Sequence, residues 1–238
     1  MSLVEINTIK IRVESDVETK SPDLKCTSLE NINSLDDKSV YTKFFIYDNP
    51  GNDPFFDWHL AGQIKWIHVD IETAIQKQVN IYDFCVQHGV NVSKIYSDLH
   101  KTSSGFIDDT KKKYLKPSIA KILGQKTLKN NLAFIDRFEI LPKYRGRGIG
   151  KMVYDIMLRQ LWQDVKIIML YSYPLQFTGH ITFRNDEDRQ FLANMRYCDF
   201  NNSFQKSNNA VLNFYKNLGF HKLRNSDYIF HINKHCKK

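Results

Sequence analysis

The sequence predicts a single α/β domain, residues 1–238, built on a mixed β-sheet. Runs of alternating apolar and polar residues mark strands in both halves of the chain. In the second half a strand, a glycine-rich turn, a helix and another strand follow one another, and this order implies a parallel strand pair joined by a crossover helix. Hydrophobic residues make up 42% of the chain, which is enough for a sizeable core.

The first half contains three predicted strands followed by a helical region. Alternation marks one strand over residues 6–14 and a second over residues 41–48. The turn-forming sequence NPGNDP precedes a third strand over residues 58–70, so we expect the last two strands to form a hairpin. Beyond residue 72 the apolar residues take helical spacing with many lysines among them, and we interpret residues 72–130 as a helical basic insertion.

Six further elements are predicted in the second half. They are a strand over 131–141, a helix over 149–161, an apolar strand over 165–173, a short helix near 186–196, a helix that Gly219 ends, and a strand over 227–233. On the strand 131–141, alternation assigns five residues to one face: Leu132, Phe134, Asp136, Phe138 and Ile140. Glu139 then belongs to the opposite face. The stretch 174–207 is interpreted as a loop insertion.

Composition narrows the class of protein. The four cysteines lie far apart without a CxxC pair, which disfavours a disulfide scaffold or a zinc site. The N-terminal residues carry scattered charges, and no apolar run is long enough to span a bilayer. We therefore expect a cytoplasmic protein with free thiols, no metal and no membrane association.

Much of the formal net charge of +8 is concentrated in one segment of the chain. Seven lysines follow one another without an intervening acid: Lys111, Lys112, Lys113, Lys116, Lys121, Lys126 and Lys129. We interpret this run as a solvated face. The alternative, which we do not favour, is a surface for an anionic partner such as nucleic acid.

The segment YRGRGIGK, residues 144–151, predicts a pyrophosphate-binding turn. It interleaves glycines and cations before an amphipathic helix: Arg145, Gly146, Arg147, Gly148, Ile149, Gly150 and Lys151. A helix N-terminus offers free N–H groups, and glycines let a phosphate approach the backbone. The alternative is a glycine-rich turn with incidental surface cations. The spacing G-x-G-x-G excludes the dinucleotide fingerprint, and Met152 stands where a P-loop has Ser or Thr.

Two motifs together carry a family resemblance. Residues 145–150 match the pattern Q/R-x-x-G-x-G/A and are entered from a strand through EILPKY. About 60 residues on, NNAVLNFYKNLGF (residues 208–220) follows on a predicted helix. The chain here resembles the GNAT superfamily of acyl-CoA-dependent N-acyltransferases, over residues 130–233 and in the hairpin at 41–70. The resemblance implies a mixed central sheet with a splayed strand pair flanked by helices, acetyl-CoA as acyl donor and an amine as acceptor.

The resemblance also implies roles for individual residues. The backbone of Phe138, Glu139 and Ile140 should follow the pantetheine arm, where the strand bulges and separates from its neighbour. Residues 145–151 should hold the pyrophosphate through their backbone and charges. Asn208 should contact the pantetheine or brace the slot between the strands.

Proton transfer has one candidate acid and several candidate bases. The resemblance puts Tyr215 where many members of the family have the acid that protonates the leaving thiolate, although its spacing also fits a core aromatic. An amine must lose a proton before it attacks a thioester, and Glu139, Asp136 and His180 are candidates to accept it. A water chain would leave no mark in the sequence.

The leading hypothesis is an N-acetyltransferase that moves an acetyl group from acetyl-CoA to the amine of an unidentified acceptor. The alternatives are a non-catalytic acyl-CoA-binding regulatory module and an RNA- or ribosome-directed acyltransferase that uses the lysine run. Both insertions flank the slot and should shape the acceptor site, so the core does not identify the acceptor. The sequence also leaves a homodimer open.

Replacing Lys111, Lys112 and Lys113 together by Gln tests the interpretation of the lysine run. A solvated face predicts unchanged folding, turnover and acetyl-CoA affinity, because exposed charges are screened over about 8–10 Å at physiological salt. Thermal unfolding and steady-state kinetics measure these quantities. A large rise in KM for an anionic acceptor that shrinks as salt is added would contradict the interpretation and favour the RNA-directed alternative.

Overall fold

Eight strands form one mixed sheet in the computed structural model, which describes residues 2–6, 9–18, 39–47, 58–76, 117–124, 129–177, 186–200, 203–223 and 226–237. The strands are β1 (Ser2–Ile6), β2 (Ile9–Glu18), β3 (Ser39–Tyr47), β4 (Trp58–Val69), β5 (Asn131–Ile140), β6 (Val165–Tyr171), β7 (His221–Lys222) and β8 (Tyr228–Ile232). Their order across the sheet is β1-β2-β3-β4-β5-β6-β8-β7. The predicted parallel pair is confirmed as β5 and β6, and the other neighbours are antiparallel.

The N-terminal strands differ from the prediction. Alternation predicts one strand over residues 6–14, whereas the chain forms the antiparallel pair β1 and β2, with Ile6 opposite Ile9. The prediction of a single strand is wrong. The alternating pattern continues through both strands and does not indicate where the chain reverses direction. The predicted hairpin is confirmed by the antiparallel register of β3 and β4.

The described ranges contain five α-helices. They are α1 (Ile71–Gln76), α2 (Pro117–Leu123), α3 (Ile149–Ile156), α4 (Asp186–Asn194) and α5 (Phe204–Asn217). On one face, α3 and α5 bury Val153 and Tyr215 in the larger core cluster. On the other face, α1 contributes Ile71 and Ala74 to a second cluster with side chains of β5, β6 and β8. Gly219 ends α5 with a φ of 89°, as predicted.

The two predicted insertions are described in part. α1 and α2 belong to the first of them, in which Lys121 and Lys129 are exposed, while residues 111–116 and Lys126 lie outside the described residues. α4 belongs to the second. None of the helices in the described ranges has the length and apolar character that a bilayer crossing requires.

β5 contains a β-bulge near its middle. Ile135 lies opposite Trp66 on β4, and Arg137 lies opposite the next β4 residue, Lys65. Asp136 is therefore an extra residue on β5, since two β5 residues occupy the space of one on its neighbour. The strand for which the family resemblance predicts a bulge thus contains one, but at Asp136 rather than at the predicted segment 138–140.

The bulge changes which side chains of β5 share a face. Leu132 and Phe134 belong to the second core cluster, whereas Phe138 and Ile140 pack against the larger cluster on the opposite face. The prediction that these four residues share a face is wrong, because one extra residue shifts the two-residue alternation of a strand.

Candidate functional site

β5 and β6 separate beyond the end of their paired segment. The last register partners are Ile135 and Leu170, after which β5 continues to Ile140 beside β4 while β6 ends at Tyr171 beside β8. A cavity of about 830 Å³ occupies this opening. Its walls come from β5, the end of β6, α5 and residues 195–200. The described strands therefore contain a splayed pair, as predicted.

The backbone of Phe138 and Ile140 points into the opening. Leu141 N–H donates to a β4 carbonyl at 2.8 Å. Because backbone groups alternate in direction along an antiparallel strand, Glu139 bonds toward β4, whereas Phe138 and Ile140 direct their groups toward the opening. The Ile140 carbonyl accepts there from Arg145 Nε at 2.7 Å. The predicted pantetheine segment thus offers backbone groups at Phe138 and Ile140 rather than at Glu139.

The glycine-rich turn begins α3 at one end of the cavity. Gly146 and Gly148 have φ angles of 71° and 76°, a region that favours glycine, and Gly148 is the N-cap of α3. A Cβ added at either position would meet no described atom within 4 Å, so the space above the turn is open. At Gly150, by contrast, a Cβ would lie 2.9 Å from Ile140 Cδ1 and 3.0 Å from the Phe214 ring. Gly150 therefore serves the close packing of α3.

The cations of the turn differ in their surroundings. Arg145 Nη2 donates to the Met195 carbonyl at 2.8 Å, and the guanidinium lies 4.3 Å from the Phe200 ring centroid. Arg145 thus fixes the turn to residues 195–200 through its side chain. Arg147 and Lys151 are exposed at the surface.

Glu139 lies at the centre of a buried hydrogen-bonded cluster. Its Oε2 accepts from Gln63 Nε2 at 2.9 Å. Its Oε1 accepts from the Tyr197 hydroxyl and lies 3.0 Å from Arg137 Nη2, which also donates to the Tyr197 oxygen at 3.1 Å. The charges of Arg137 and Glu139 offset each other inside the protein. Because both oxygens of Glu139 are engaged, the geometry favours a structural carboxylate over a general base.

Burial and pairing set the protonation states in this cluster, which we call the Glu139 cluster (Gln63, Arg137, Glu139 and Tyr197). Burial raises the pKa of Tyr197, and the Glu139 carboxylate raises it further. Burial alone would lower the pKa of Arg137, but Glu139 and Tyr197 hold it above its ordinary value. At neutral pH the tyrosine is therefore a neutral donor and the arginine a cation.

Tyr215 lines the cavity from α5. Its side chain is 8% exposed, and its ring makes T-shaped contacts with Phe214 and Phe220 at centroid distances of 5.1 and 5.3 Å. Burial raises the pKa of Tyr215, and the Glu139 carboxylate adds to the rise. The hydroxyl therefore keeps its proton at neutral pH. The same geometry fits both interpretations of Tyr215, a core aromatic and a proton donor.

Asp136 and Glu139 lie on the same face of the sheet. Asp136 pairs with Lys65 at 3.3 Å and Glu139 bonds to Gln63, and these two β4 residues share a face because they are two positions apart. The expected opposite orientation is wrong because of the bulge. Burial alone would lower the pKa of Lys65, but Asp136 helps to hold it above its ordinary value. Asp136 is thus engaged in an ion pair.

Three further candidates are less directly connected to the cavity. Ile149 is buried in the core, so only its backbone can face a ligand. Asn208 lies on α5 but is not among the side chains that line the cavity, and its buried Oδ1 has no hydrogen-bond partner in the described part of the chain. His180 lies outside the described residues. The predicted role of Asn208 stays a prediction.

Sequence reasoning missed three members of the Glu139 cluster. Arg137 could have been found, since it precedes Glu139 by two residues on the same strand. Gln63 becomes relevant only through the register of β4 with β5. Tyr197 belongs to the second insertion, where no sequence pattern indicates which side chain returns to the sheet.

Comparison of structures, but not of sequences, relates the chain to a known protein. No protein-family model matches the chain, and no curated protein matches it at a significant level. Among solved structures, the chain is similar to the crystal structure of Arabidopsis thaliana NAA60 in complex with acetyl-CoA, with 14% sequence identity and a TM-score of 0.33. The similarity covers 77% of this chain and 64% of that chain, so the chain spans less than two thirds of the NAA60 chain.

Removing the Tyr197 hydroxyl should destabilise the fold. The Tyr197→Phe variant deprives buried Glu139 of a donor, so the free energy of unfolding at pH 7 should fall by about 1–3 kcal/mol. Since the folded pKa is raised, the hydroxyl's contribution is complete below the ordinary tyrosine pKa of about 10 and is lost as pH rises through the folded value. The difference from wild type should therefore shrink above about pH 10. Denaturant unfolding across pH measures it.

Tyr171→Phe is the matched control, because Tyr171 is 40% exposed. This variant should change the free energy of unfolding by less than about 0.5 kcal/mol. Equal effects of the two variants, or a Tyr197→Phe difference that grows above pH 10, would contradict the described burial of the Glu139 cluster.

Proposed function

We propose that this protein is an N-acetyltransferase of the GNAT type, which transfers an acetyl group from acetyl-CoA to an amine. The observation that carries the proposal is the separation of β5 from β6. Arg145 and Gly146 of the glycine-rich turn and Tyr215 of α5 all line the resulting cavity. Such a slot suits a long acyl-thioester arm, whose phosphates stay near the surface while its acyl end reaches the interior.

The residues present fit acetyl-CoA. The space above Gly146 and Gly148 is open. The N–H groups that precede the first bond of a helix have no intrahelical partner, and in α3 that bond runs from Lys151 N–H to the Gly148 carbonyl. Arg147 and Lys151 add positive charge beside this turn. Backbone groups of β5 face the slot and can bond to the amides of the arm. The buried Asn208 Oδ1, which has no hydrogen-bond partner in the described residues, is a further acceptor near the slot.

The chain's own groups then supply acid catalysis and charge stabilisation. When bound, acetyl-CoA provides a thioester carbonyl that an amine can attack. Tyr215 keeps its proton at neutral pH and can donate it to the departing sulfur. Slot-facing N–H groups of β5 can stabilise negative charge on the carbonyl oxygen. The rings of Phe214 and Phe220 pack against Tyr215 and fix the orientation of its side chain.

Neither carboxylate of β5 is assigned as a direct base. Glu139 has both oxygens engaged, and Asp136 pairs with Lys65. We propose that Glu139 acts as a positioning residue, because it fixes Tyr197 and helps to keep Tyr215 protonated. Water in the open cavity then takes the proton of the amine.

Replacing Gly148 by Val tests the proposed pyrophosphate site. The new side chain would project into the open space above the turn, so acetyl-CoA should bind at least about tenfold more weakly by calorimetry. Gly124→Val is a matched control, because Gly124 also has a positive φ and open surroundings but does not line the cavity. The control carries the same backbone strain and should bind acetyl-CoA as wild type does. Unchanged affinity in Gly148→Val would show that the phosphates bind elsewhere.

Replacing Tyr215 by Phe tests the proposed acid. Loss of a general acid should lower kcat by about 10²–10⁴-fold while acetyl-CoA affinity stays nearly intact. Stopped-flow measurement of thiol release, where chemistry limits the rate, gives kcat. Tyr154→Phe is the control, because Tyr154 is 1% exposed and its hydroxyl has no partner among the described residues, yet it does not line the cavity.

Two outcomes would count against the assignment. A kcat of Tyr215→Phe within about twofold of wild type would reduce Tyr215 to a packing residue. Tight acetyl-CoA binding by wild type with no thiol release for any amine would instead favour the non-catalytic acyl-CoA-binding module.

A further inference from the structure

Four aromatic side chains form a continuous surface at the end of the cavity where β6 stops. We call them the aromatic rim: Tyr171, Tyr173, Phe177 and Phe204. Tyr171 stacks on Tyr173 with an interplanar angle of 17° and a centroid distance of 5.9 Å. Phe204, the first residue of α5, contacts Tyr173 at 5.3 Å and Phe177 at 5.4 Å. Tyr171 and Tyr173 also line the cavity, so the rim is continuous with its wall.

Two side chains of the aromatic rim are exposed to an extent that is uncommon for large hydrophobic residues in this structure. Tyr171 is 40% exposed and Phe204 is 42% exposed. In the described part of the chain only two other large hydrophobic side chains, Ile75 and Ile122, reach comparable exposure. Of these four exposed side chains only Tyr171 lines the cavity, but Phe204 contacts the lining residue Tyr173. Exposed aromatic rings gain free energy when a ligand covers them. Their position at the mouth of the cavity indicates that the ligand enters it.

The charges of the cavity limit what this ligand can be. Both lining carboxylates are already paired, Asp136 with Lys65 and Glu139 with Arg137. Lys206, exposed on the first turn of α5, also lines the cavity. A ligand with two ammonium groups would therefore meet a like charge and no unpaired lining carboxylate.

We propose that the acceptor is a monoamine whose amine is joined by a short chain to an aromatic ring, and that the aromatic rim binds this ring. The inference rests on the proposed acetyl transfer, because only that reaction makes the bound amine an acceptor. The binding site for the aromatic ring is argued from the aromatic rim alone. The ring stacks on Tyr171 and Phe204, while the amine extends along the cavity wall toward Tyr215. Before it loses its proton, the ammonium is attracted by the faces of the tyrosine rings.

Direct binding is the first test, because it does not depend on turnover. Calorimetric titration of the full chain with 2-phenylethylamine, n-butylamine and 1,4-diaminobutane compares an aromatic monoamine with a monoamine lacking the ring and with a diamine. We expect the Kd of 2-phenylethylamine to be lower than that of n-butylamine by at least about tenfold. The diamine should bind most weakly. Equal Kd values for the three amines, or tighter binding of the diamine, would overturn the inference.

Variants of the aromatic rim test where the aromatic ring of the ligand binds. Phe204→Ala and Tyr171→Ala should each raise the Kd of 2-phenylethylamine by about three- to tenfold and leave that of n-butylamine unchanged. Ile75→Ala is the matched control, because Ile75 is 43% exposed but lies on α1. An equal effect of all three variants, or none from the first two, would overturn the assignment of the rim.

Turnover separates this inference from the proposed function. Selective binding of 2-phenylethylamine without thiol release from acetyl-CoA would uphold the aromatic site and overturn acetyl transfer. Thiol release with n-butylamine at the same KM as with 2-phenylethylamine would uphold acetyl transfer and overturn the aromatic acceptor. A short peptide with N-terminal phenylalanine also joins an amine to an aromatic ring by a short chain. If 2-phenylethylamine has the lower KM, the acceptor is a small amine, and if the peptide has the lower KM, the acceptor is a chain terminus.

Discussion

The end of parallel pairing between β5 and β6 is the constraint on which the rest of the site depends. Up to Ile135 and Leu170 the two strands share a ladder, and beyond them each is held only by its outer neighbour. An unpaired inner edge leaves backbone groups without partners, and the bulge at Asp136 marks where β5 turns away. The cavity, the slot-facing backbone of Phe138 and the approach to Tyr215 all follow from this separation.

Separating two strands of a sheet removes backbone hydrogen bonds between them, and buried polar groups replace part of this bonding. Arg145 donates to the Ile140 carbonyl, which would otherwise lack a partner in the slot. The Glu139 cluster joins β4, β5 and the segment after α4 through charge-assisted hydrogen bonds. Breaking one member would leave a buried charge exposed to a low dielectric, so the cluster fixes the second insertion against the core. Polar bonding thus holds a region where strand pairing is absent.

The same cluster links structure to the proposed chemistry. Inside the protein the negative charge of Glu139 lies beside the positive charge of Arg137. It still acts on the phenols nearby, and together with burial it keeps Tyr197 and Tyr215 protonated. One buried ion pair therefore anchors the insertion and adds to the effect of burial, which keeps the proposed acid protonated.

The sequence by itself determined the elements whose pattern is local. The amphipathic spacing after residue 149 specified α3, the apolar run gave β6, and Gly219 marked the end of α5, because each depends on neighbours a few residues away. The glycine spacing also indicated where α3 begins. The turn entered the candidate site through this spacing, and Tyr215 entered it through the family resemblance.

Only the tertiary structure decided which distant side chains meet. The bulge at Asp136 depends on the register with β4, so alternation alone assigned Asp136 and Glu139 to opposite faces. Gln63 and Tyr197 reach Glu139 across 76 and 58 residues of chain. The aromatic rim joins β6 to α5 in the same way. Such contacts depend on long-range packing and register, which no local periodicity encodes.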